Sequence, residues 1–243
     1  MKLTRFSILC ALGLAMTFGI TSIAAATPHP PDINPADFPG GQVTNPFFPL
    51  PPGTTFFYVG EKDGIPTSNV TEVTCTTLVI LGVTTTVVRD QAFDEKGNLV
   101  EDTLDYYAQD AAGNVWYFGE DTKELDPLTG LVISTQGTWR AGVDDADPGF
   151  VMLANPQVGD SYYQEFARGV AEDQARVQSL NASACIGQGC FDRLLLTKET
   201  TRLSPGEVEN KYYKRGIGFI FGVIVKGGNE HTEWVQTTLG SCP

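Results

Sequence analysis

The chain has 243 residues, of which 29 are acidic and only 16 are basic, so its formal net charge at pH 7 is −13. Because a protein this acidic is repelled by nucleic acid and by anionic lipid, the composition argues against both as partners. The charge suits an extracytoplasmic protein, or one that binds cations. The length is ample for a hydrophobic core and lies within the range of single sandwich or barrel domains.

The amino-terminal segment, residues 1–26, has the pattern of a secretory signal peptide. Lys2 and Arg5 form a positive region, and residues 6–23 are almost all apolar or small. This apolar run is long enough to span a membrane. The alanines at 24–26 and the prolines that follow favour cleavage instead. We therefore predict a periplasmic or secreted protein that starts near Thr27 and has no stable membrane insertion.

The cysteine pattern predicts two disulfide bonds. Cys10 lies in the signal segment, which leaves an even set of four: Cys75, Cys185, Cys190 and Cys242. In an exported protein such a set indicates disulfides rather than free thiols. Four cysteines allow three pairings. Only a flexible Ile-Gly-Gln-Gly stretch separates Cys185 from Cys190, so we favour the pairing of these two, and of Cys75 with Cys242.

Residues 27–53 are predicted to form an extended arm. They contain nine prolines, each of which removes a backbone hydrogen-bond donor and disfavours both a helix and a central strand. The arm is expected to run over the surface. Phe47, Phe48 and Leu50 are apolar enough to close one end of a core.

Residues 54–243 are predicted to form a single β domain. Asp63-Gly64 and the Asp-x-x-Gly-Asn sequences at 94–98 and 110–114 are turn signals between runs of Thr, Val and aromatic residues. Residues 171–180 fit either a strand or a short helix. The pattern is typical of an all-β, antiparallel meander that forms an up-and-down barrel or half-barrel of lipocalin-like type, with a sandwich as the alternative. Further strands are expected at 54–60, 70–81, 83–93, 131–140, 161–167, 170–180, 190–202, 207–225 and 230–239.

The segment 101–121 carries the most suggestive cluster of polar side chains. Side chains alternate between the two faces of a strand, so Glu101, Asp105 and Tyr107 share one face. If the 110–114 turn closes a hairpin, Tyr107 faces Tyr117, and Asp121 returns to the same face. This face is either the solvated side of the hairpin or the inside of a barrel. Inside a barrel, close carboxyl groups would raise one pKa, as acid–base catalysis requires.

Metal chemistry is less well supported. Asp144, Asp145 and Asp147 concentrate oxygen ligands, but they lack the length and closing Glu of an EF-hand loop. Zinc would need partners for the two close cysteines, and His29 and His231 are the only histidines. We expect no metal and no cofactor, with calcium as the alternative.

Four groups of motifs stand out along the chain: at 45–50 with 52–55, at 105–110 with 113–120, at 169–173, and at 211–213 leading to 216–218. They are similar to motifs of exported bacterial β-rich proteins of unassigned function. The resemblance implies a lipocalin-like or half-barrel fold and carries over no catalytic residue. Arg215 stands where such proteins tend to have proline.

Three functions remain open. The first is binding of a small apolar or glycan-like ligand, and the second is an extracytoplasmic lyase, isomerase or hydrolase that uses Asp105, Glu101 or Asp121 as acid or base with Tyr107 or Tyr117 assisting. The third is a structural or interaction module without a small ligand. The oligomeric state is left undetermined. Aromatic side chains expected to line a ligand cavity are Tyr107, Trp116, Tyr117, Trp139 and Tyr213.

Overall fold

The computed structural model describes residues 32–242, and the predicted signal segment, its cleavage site and the start of the arm lie outside them. Strands dominate the described chain, and its one helical element is a single 3₁₀ turn at Pro35–Asp37. In chain order the strands are β1 (Thr55–Lys62), β2 (Ile65–Ile80), β3 (Val83–Phe93), β4 (Leu99–Gln109), β5 (Val115–Leu125), β6 (Val132–Ser134), β7 (Trp139–Arg140), β8 (Asp147–Met152), β9 (Ser161–Tyr163), β10 (Glu165–Phe166), β11 (Asp173–Ile186), β12 (Gly189–Thr201), β13 (Val208–Lys214), β14 (Gly218–Lys226) and β15 (Glu230–Thr238).

All fifteen strands belong to one sheet. Strands β1 to β5 form one antiparallel meander, β11 to β15 form a second, and β1 pairs with β15 to join the two. The two ends of the sheet are β10 and β9, which are separated in the chain only by Gln164. The sheet is therefore a nearly closed barrel, and the predicted all-β barrel class is confirmed.

Several predicted elements differ in detail. The segment 171–180 contains no helix, and from Asp173 onward it belongs to strand β11. The predicted strand at 131–140 is reduced to the short strands β6 and β7, because a turn at 135–138 interrupts it. The segment 207–225 divides into β13 and β14 at a turn where Gly216 has a φ of 84° and Ile217 donates to the carbonyl of Lys214.

Both predicted disulfides are present. Cys185 and Cys190 close the β11–β12 hairpin, where they are cross-strand partners. Cys75 on β2 is bonded to Cys242 after the last strand, across 167 residues of sequence. The second bond ties the carboxyl-terminal segment to the first meander.

The proline-rich segment is not simply an extended surface arm. Val43 and Leu50 form an isolated antiparallel bridge, and Val43, Phe47 and Leu50 are buried in the main core. The carbonyl of Pro46 accepts a hydrogen bond from the amide of Gly216 in the β13–β14 turn. Its apolar residues thus close one end of the barrel.

The β4–β5 hairpin is covered on both faces. On the inner face Val88, Val115, Met152 and Leu195 belong to the core between the two meanders. On the outer face Phe38 from the arm packs edge-on against two rings of β5. This double coverage explains why the hairpin lacks the polar outer face of an exposed antiparallel pair.

Among residues 32–242, no helix has the length and apolar character needed to cross a membrane.

Candidate functional site

The β4–β5 hairpin positions the first group of polar side chains. Tyr107 lies opposite Tyr117, as the turn signal predicts, but the register shifts between Asp105 and Tyr107. Gly119 occupies the shift with a φ of 135°, and a Cβ there would collide with the backbone carbonyl of Trp139. Such a bulge adds one residue to its strand and reverses which face the following side chains occupy. Glu120, not Gly119, is therefore the partner of Asp105.

Because of the bulge, Asp121 does not lie on the face where the sequence predicted it. It lies opposite Leu104 on the outer face of the hairpin. Its carboxylate accepts a 2.6 Å hydrogen bond from the Tyr106 hydroxyl and is 2.9 Å from Nη2 of Arg140. The guanidinium also lies 5.3 Å from the centre of the Tyr106 ring. Asp121 is held in this outer cluster, away from Asp105.

A cavity of about 360 Å³ lies inside the barrel between the two meanders. The arm closes part of it with Phe48, Pro49 and Leu50. Both meanders and the arm contribute aromatic rings to its wall. These rings are Phe48, Phe56, Tyr58, Tyr107, Tyr213 and Phe219.

Two tyrosines stack at the wall formed by the β4–β5 hairpin. The rings of Tyr107 and Tyr117 have centroids 4.8 Å apart and planes 18° apart, and Phe48 meets Tyr107 edge-on at 5.2 Å. Tyr107 faces the cavity, and Tyr117 lies next to it and donates a 2.5 Å hydrogen bond to Oδ1 of Asp105. The stack gives the cavity a flat aromatic surface beside a buried carboxyl group.

Asp90 on β3 is a cavity residue that the sequence reasoning missed. Its carboxylate accepts a 2.9 Å hydrogen bond from the Thr71 hydroxyl and a 3.4 Å contact from the Asn69 amide. Its neighbour Arg89 points to the opposite face, where it forms a two-pronged ion pair with Asp102 at 2.6 and 3.0 Å. Asp90 shares a face of β3 with the buried Val88, but Val87 is buried on the other face, so alternation in the sequence did not show which face points inward.

Burial dominates the electrostatics of these carboxyl groups. It raises the pKa of Asp105 well above its usual value, and the nearby charges of Asp90 and Glu120 raise that pKa further against the hydrogen bond from Tyr117. Burial also raises the pKa of Asp90 to about 6 and that of Glu120 to about 7. The site therefore holds acids that exchange protons near neutral pH.

The second meander contributes the one basic side chain in the wall of the cavity, that of Lys211. Lys211 on β13 has its ammonium nitrogen 2.8 Å from Glu199 and 3.5 Å from Glu209. These carboxylates hold the pKa of Lys211 well above its usual value, although burial acts in the opposite direction. Tyr213 lines the same wall, and its hydroxyl donates to Glu199 at 3.3 Å.

Glu101 lies at one end of the cavity rather than within it. It accepts a hydrogen bond from Thr103 at 3.1 Å and lines a second depression of about 600 Å³. This depression shares Asn69 and Glu230 with the cavity. Glu101 therefore lies next to the cavity and not in its wall.

Three of the five expected aromatic residues, Trp116, Tyr117 and Trp139, do not line the cavity, and Tyr117 lies behind Tyr107. Trp116 points to the opposite face of the sheet from Tyr117 and packs against Phe38 with ring centroids 5.7 Å apart. Its indole nitrogen donates to Asp110 at 2.9 Å. Trp139 packs edge-on against Tyr117, and its indole nitrogen donates to Glu165 at 3.0 Å. Both tryptophans support the hairpin from outside the cavity.

In the part of the chain that the structure describes, no group of three or more His, Cys, Asp or Glu side chains is arranged to hold a metal ion. In the acidic loop, Asp144 and Asp145 have φ values of 51° and 58° and form a tight turn. The loop is fixed by a hydrogen bond from the amide of Gly142 to the carbonyl of Ala146. His231 lines a small outer pocket with Glu207 and is not part of the cavity.

Comparison with known proteins gave no functional match. No family model matches the chain, and no curated protein is similar enough to be reported as a relative. One similar solved structure is a Bacteroides fragilis protein described as exported, with a YmcC-like fold; it is 12% identical, covers 79% of this chain and 99% of its own, and has a TM-score of 0.47. Another, described as a lipoprotein of Parabacteroides distasonis, is 10% identical, covers 79% and 98%, and has a TM-score of 0.42.

Proposed function

We propose that this protein is an extracytoplasmic binding protein that holds a small ligand, glycan-like or apolar, inside its barrel. The observation that carries the proposal is the cavity of about 360 Å³ between the two meanders. Small-molecule sites in proteins are concave, about 300–1,000 Å³ in volume, and combine apolar walls with a few placed polar groups. A structural module without a ligand would be expected to fill this space.

The composition of the wall supports a ligand with both apolar faces and polar edges. The half-buried rings of Tyr107 and Phe219 offer flat apolar surfaces to the cavity, and sugars and aromatic compounds both pack on such surfaces. Asn69, Thr71 and Asp90 provide donors and acceptors on the adjoining strands. Disulfide bonds support an extracytoplasmic location, because they persist in oxidising compartments.

The test is native mass spectrometry of the protein purified from its own host, compared with its denatured mass. A bound species of roughly a few hundred daltons is expected for a cavity of this size. In Thr232→Trp the indole would occupy the cavity, since Thr232 lines it. Thr238→Trp is the matched control, because Thr238 lies exposed on the same strand. The bound mass should vanish in the first variant and remain in the second.

Absence of any bound mass from the wild-type protein, or its equal retention in both variants, would count against a binding cavity. Loss from both variants would point to general destabilisation, so thermal unfolding of each is measured alongside. A wild-type-like midpoint for Thr232→Trp then assigns the lost mass to the filled cavity.

A second candidate is an enzyme that acts on the same ligand. The observation that favours it is the pair Asp90 and Asp105, whose pKa values are both raised by burial. Positioned acid and base groups contribute roughly 10²–10⁴-fold to a reaction rate. If the ligand recovered from the cavity is converted by the protein, Asp105→Asn should lower turnover by about that factor. Asp102→Asn, on the outer face of the same strand, should not.

A further inference from the structure

The charged groups of the cavity are unequal in sign. Its wall contains four carboxyl groups, those of Asp90, Asp105, Glu209 and Glu230, and one basic group, that of Lys211. A wall with an excess of one charge sign favours a ligand of the opposite sign, because the attraction between wall and ligand offsets the cost of removing both from water. The four carboxyl groups differ in whether they have a basic partner.

Two of these carboxyl groups, those of Glu230 and Glu209, already have a basic partner. Glu230 forms an ion pair with Lys62 at 3.2 Å, and Glu209 lies 3.5 Å from Lys211. Lys211 is in turn held more closely by Glu199, at 2.8 Å. The ammonium group of Lys211 is thus fully engaged by protein carboxylates and is a poor partner for an anionic ligand.

Asp90 and Asp105 differ from the other two. Neither forms an ion pair with a lysine, arginine or histidine in residues 32–242, and each is fixed by neutral donors: Thr71 and Asn69 for Asp90, and Tyr117 for Asp105. They lie on adjacent strands at the same wall, and the repulsion between them contributes to the raised pKa of Asp105. A cation placed between them would relieve that repulsion and supply the missing charge.

The surrounding rings favour the same ligand. Tyr107 on β4, Tyr58 on β1 and Phe219 on β14 all line the cavity. The ring centroids of Tyr58 and Phe219 are 5.5 Å apart, so these two rings are in contact and form an aromatic corner of the cavity. Aromatic faces attract ammonium groups, with about 0.5–2 kcal/mol for each favourable contact. Carboxylates combined with ring faces are the usual means of binding a compact organic cation.

We infer that the ligand of this cavity carries an ammonium group, which lies between Asp90 and Asp105 and against the ring of Tyr107. The inference rests on the proposed binding function and names its ligand class. An amino sugar or a small aromatic amine has the required combination of a positive group and a flat apolar body. The size of the cavity, about 360 Å³, suits one such molecule.

The test uses two probe pairs that differ only in charge: glucosamine against glucose, and benzylamine against benzyl alcohol. Binding to the full mature protein at neutral pH is measured by ligand-observed NMR, with Thr232→Trp to identify signals that arise in the cavity. The amine of at least one pair should bind at least about tenfold more tightly than its neutral partner, a difference of about 1.4 kcal/mol. Asp90→Asn and Asp105→Asn should each remove most of that preference.

Asp102→Asn is the matched control and should leave the preference unchanged, since its carboxylate lies on the outer face with Arg89. If the neutral members bind in the cavity as well as the amines, the inference is overturned and the binding function stands. If no probe binds and no native ligand is found, both fail together. Loss of folding in an aspartate variant would be visible in its NMR spectrum, and the remaining aspartate variant then decides.

Discussion

The hydroxyl of Tyr117 donates a 2.5 Å hydrogen bond to Oδ1 of Asp105 across the β4–β5 hairpin. Both groups are buried, so the bond replaces water for a carboxyl that has no ion-pair partner within the described chain. Tyr117→Phe should therefore destabilise the protein by about 1–3 kcal/mol, because it leaves Asp105 without this donor. It should also raise the pKa of Asp105 further, since the hydrogen bond acts to lower it.

Urea unfolding gives the stability change, and carbon NMR of the aspartate carboxyl groups gives the pKa. Tyr212→Phe is the matched control, because Tyr212 packs on Phe221 in a separate cluster away from the cavity. A Tyr117→Phe protein as stable as the wild type would show that the hydroxyl has no stabilising role.

Stability should fall as pH rises from 5 to 8. Burial raises the pKa of Asp90 to about 6 and that of Glu120 to about 7. Between the ordinary carboxyl pKa of about 4 and these raised values, the folded protein therefore binds more protons than the unfolded chain. A raised carboxyl pKa favours the folded state in acid, and this contribution is lost as pH rises through the folded-state pKa. The thermal midpoint should drop by several degrees, given roughly 2–4 °C for each 1 kcal/mol in a domain of this size.

Glu120→Gln should make that pH dependence shallower, because it removes one of the titrating groups. Glu124→Gln is the matched control, since Glu124 is exposed on the same strand. Equal slopes for the two variants would remove Glu120 from the explanation.

The two disulfides should contribute unequally. In the chain-entropy model a crosslink stabilises more when it closes a longer loop. Cys75–Cys242 spans 167 residues and Cys185–Cys190 spans 5. Replacing the first pair by serines should cost about 5 kcal/mol and replacing the second about 2 kcal/mol, as measured by urea unfolding. Equal costs would contradict the entropic argument and point to strain or residual structure.

Gly119→Ala should be strongly destabilising. A φ of 135° is rare for any residue with a side chain, and the added Cβ would meet the backbone of β7. We expect a loss on the order of 2 kcal/mol or more. Gly187→Ala, in an open hairpin turn where a Cβ meets only a flexible Glu233 side chain at 3.5 Å, should cost much less. A tolerated Gly119→Ala would mean that the hairpin can re-register without its bulge.

The difference between prediction and structure is clearest at that bulge. The Asp-x-x-Gly-Asn turn fixed the pairing of Tyr107 with Tyr117, because a turn determines register in the residues next to it. Beyond Gly119 the alternation reverses, which moved Asp121 outward and brought Glu120 inward. A single glycine in a strand signals a bulge only weakly, so sequence alone could not locate the reversal.

Trp116 and Asp90 illustrate a second limit. Strand alternation correctly separates Trp116 from Tyr117, but it does not say which face is the inside when both faces are covered. The arm through Phe38 buries the outer face, so an apolar residue there is as well buried as one facing the cavity. For the same reason the sequence of β3 alone does not show that the carboxylate of Asp90 points inward. The inward face of β3 can be identified only when the positions of β2 and β4 are known.

The pairing of β1 with β15 has a consequence for how the molecule forms. The seam between the two meanders joins the first strand of the sheet to the last, so most of the chain separates these partners. Contacts between such distant residues slow folding, because the entropy of closing a long loop is lost before the contacts form. Until β15 is in place, β1 and β14 present open edges that invite pairing with other chains. The barrel can therefore close only after β15 has been synthesised, and the bond between Cys75 and Cys242 then links the two meanders covalently.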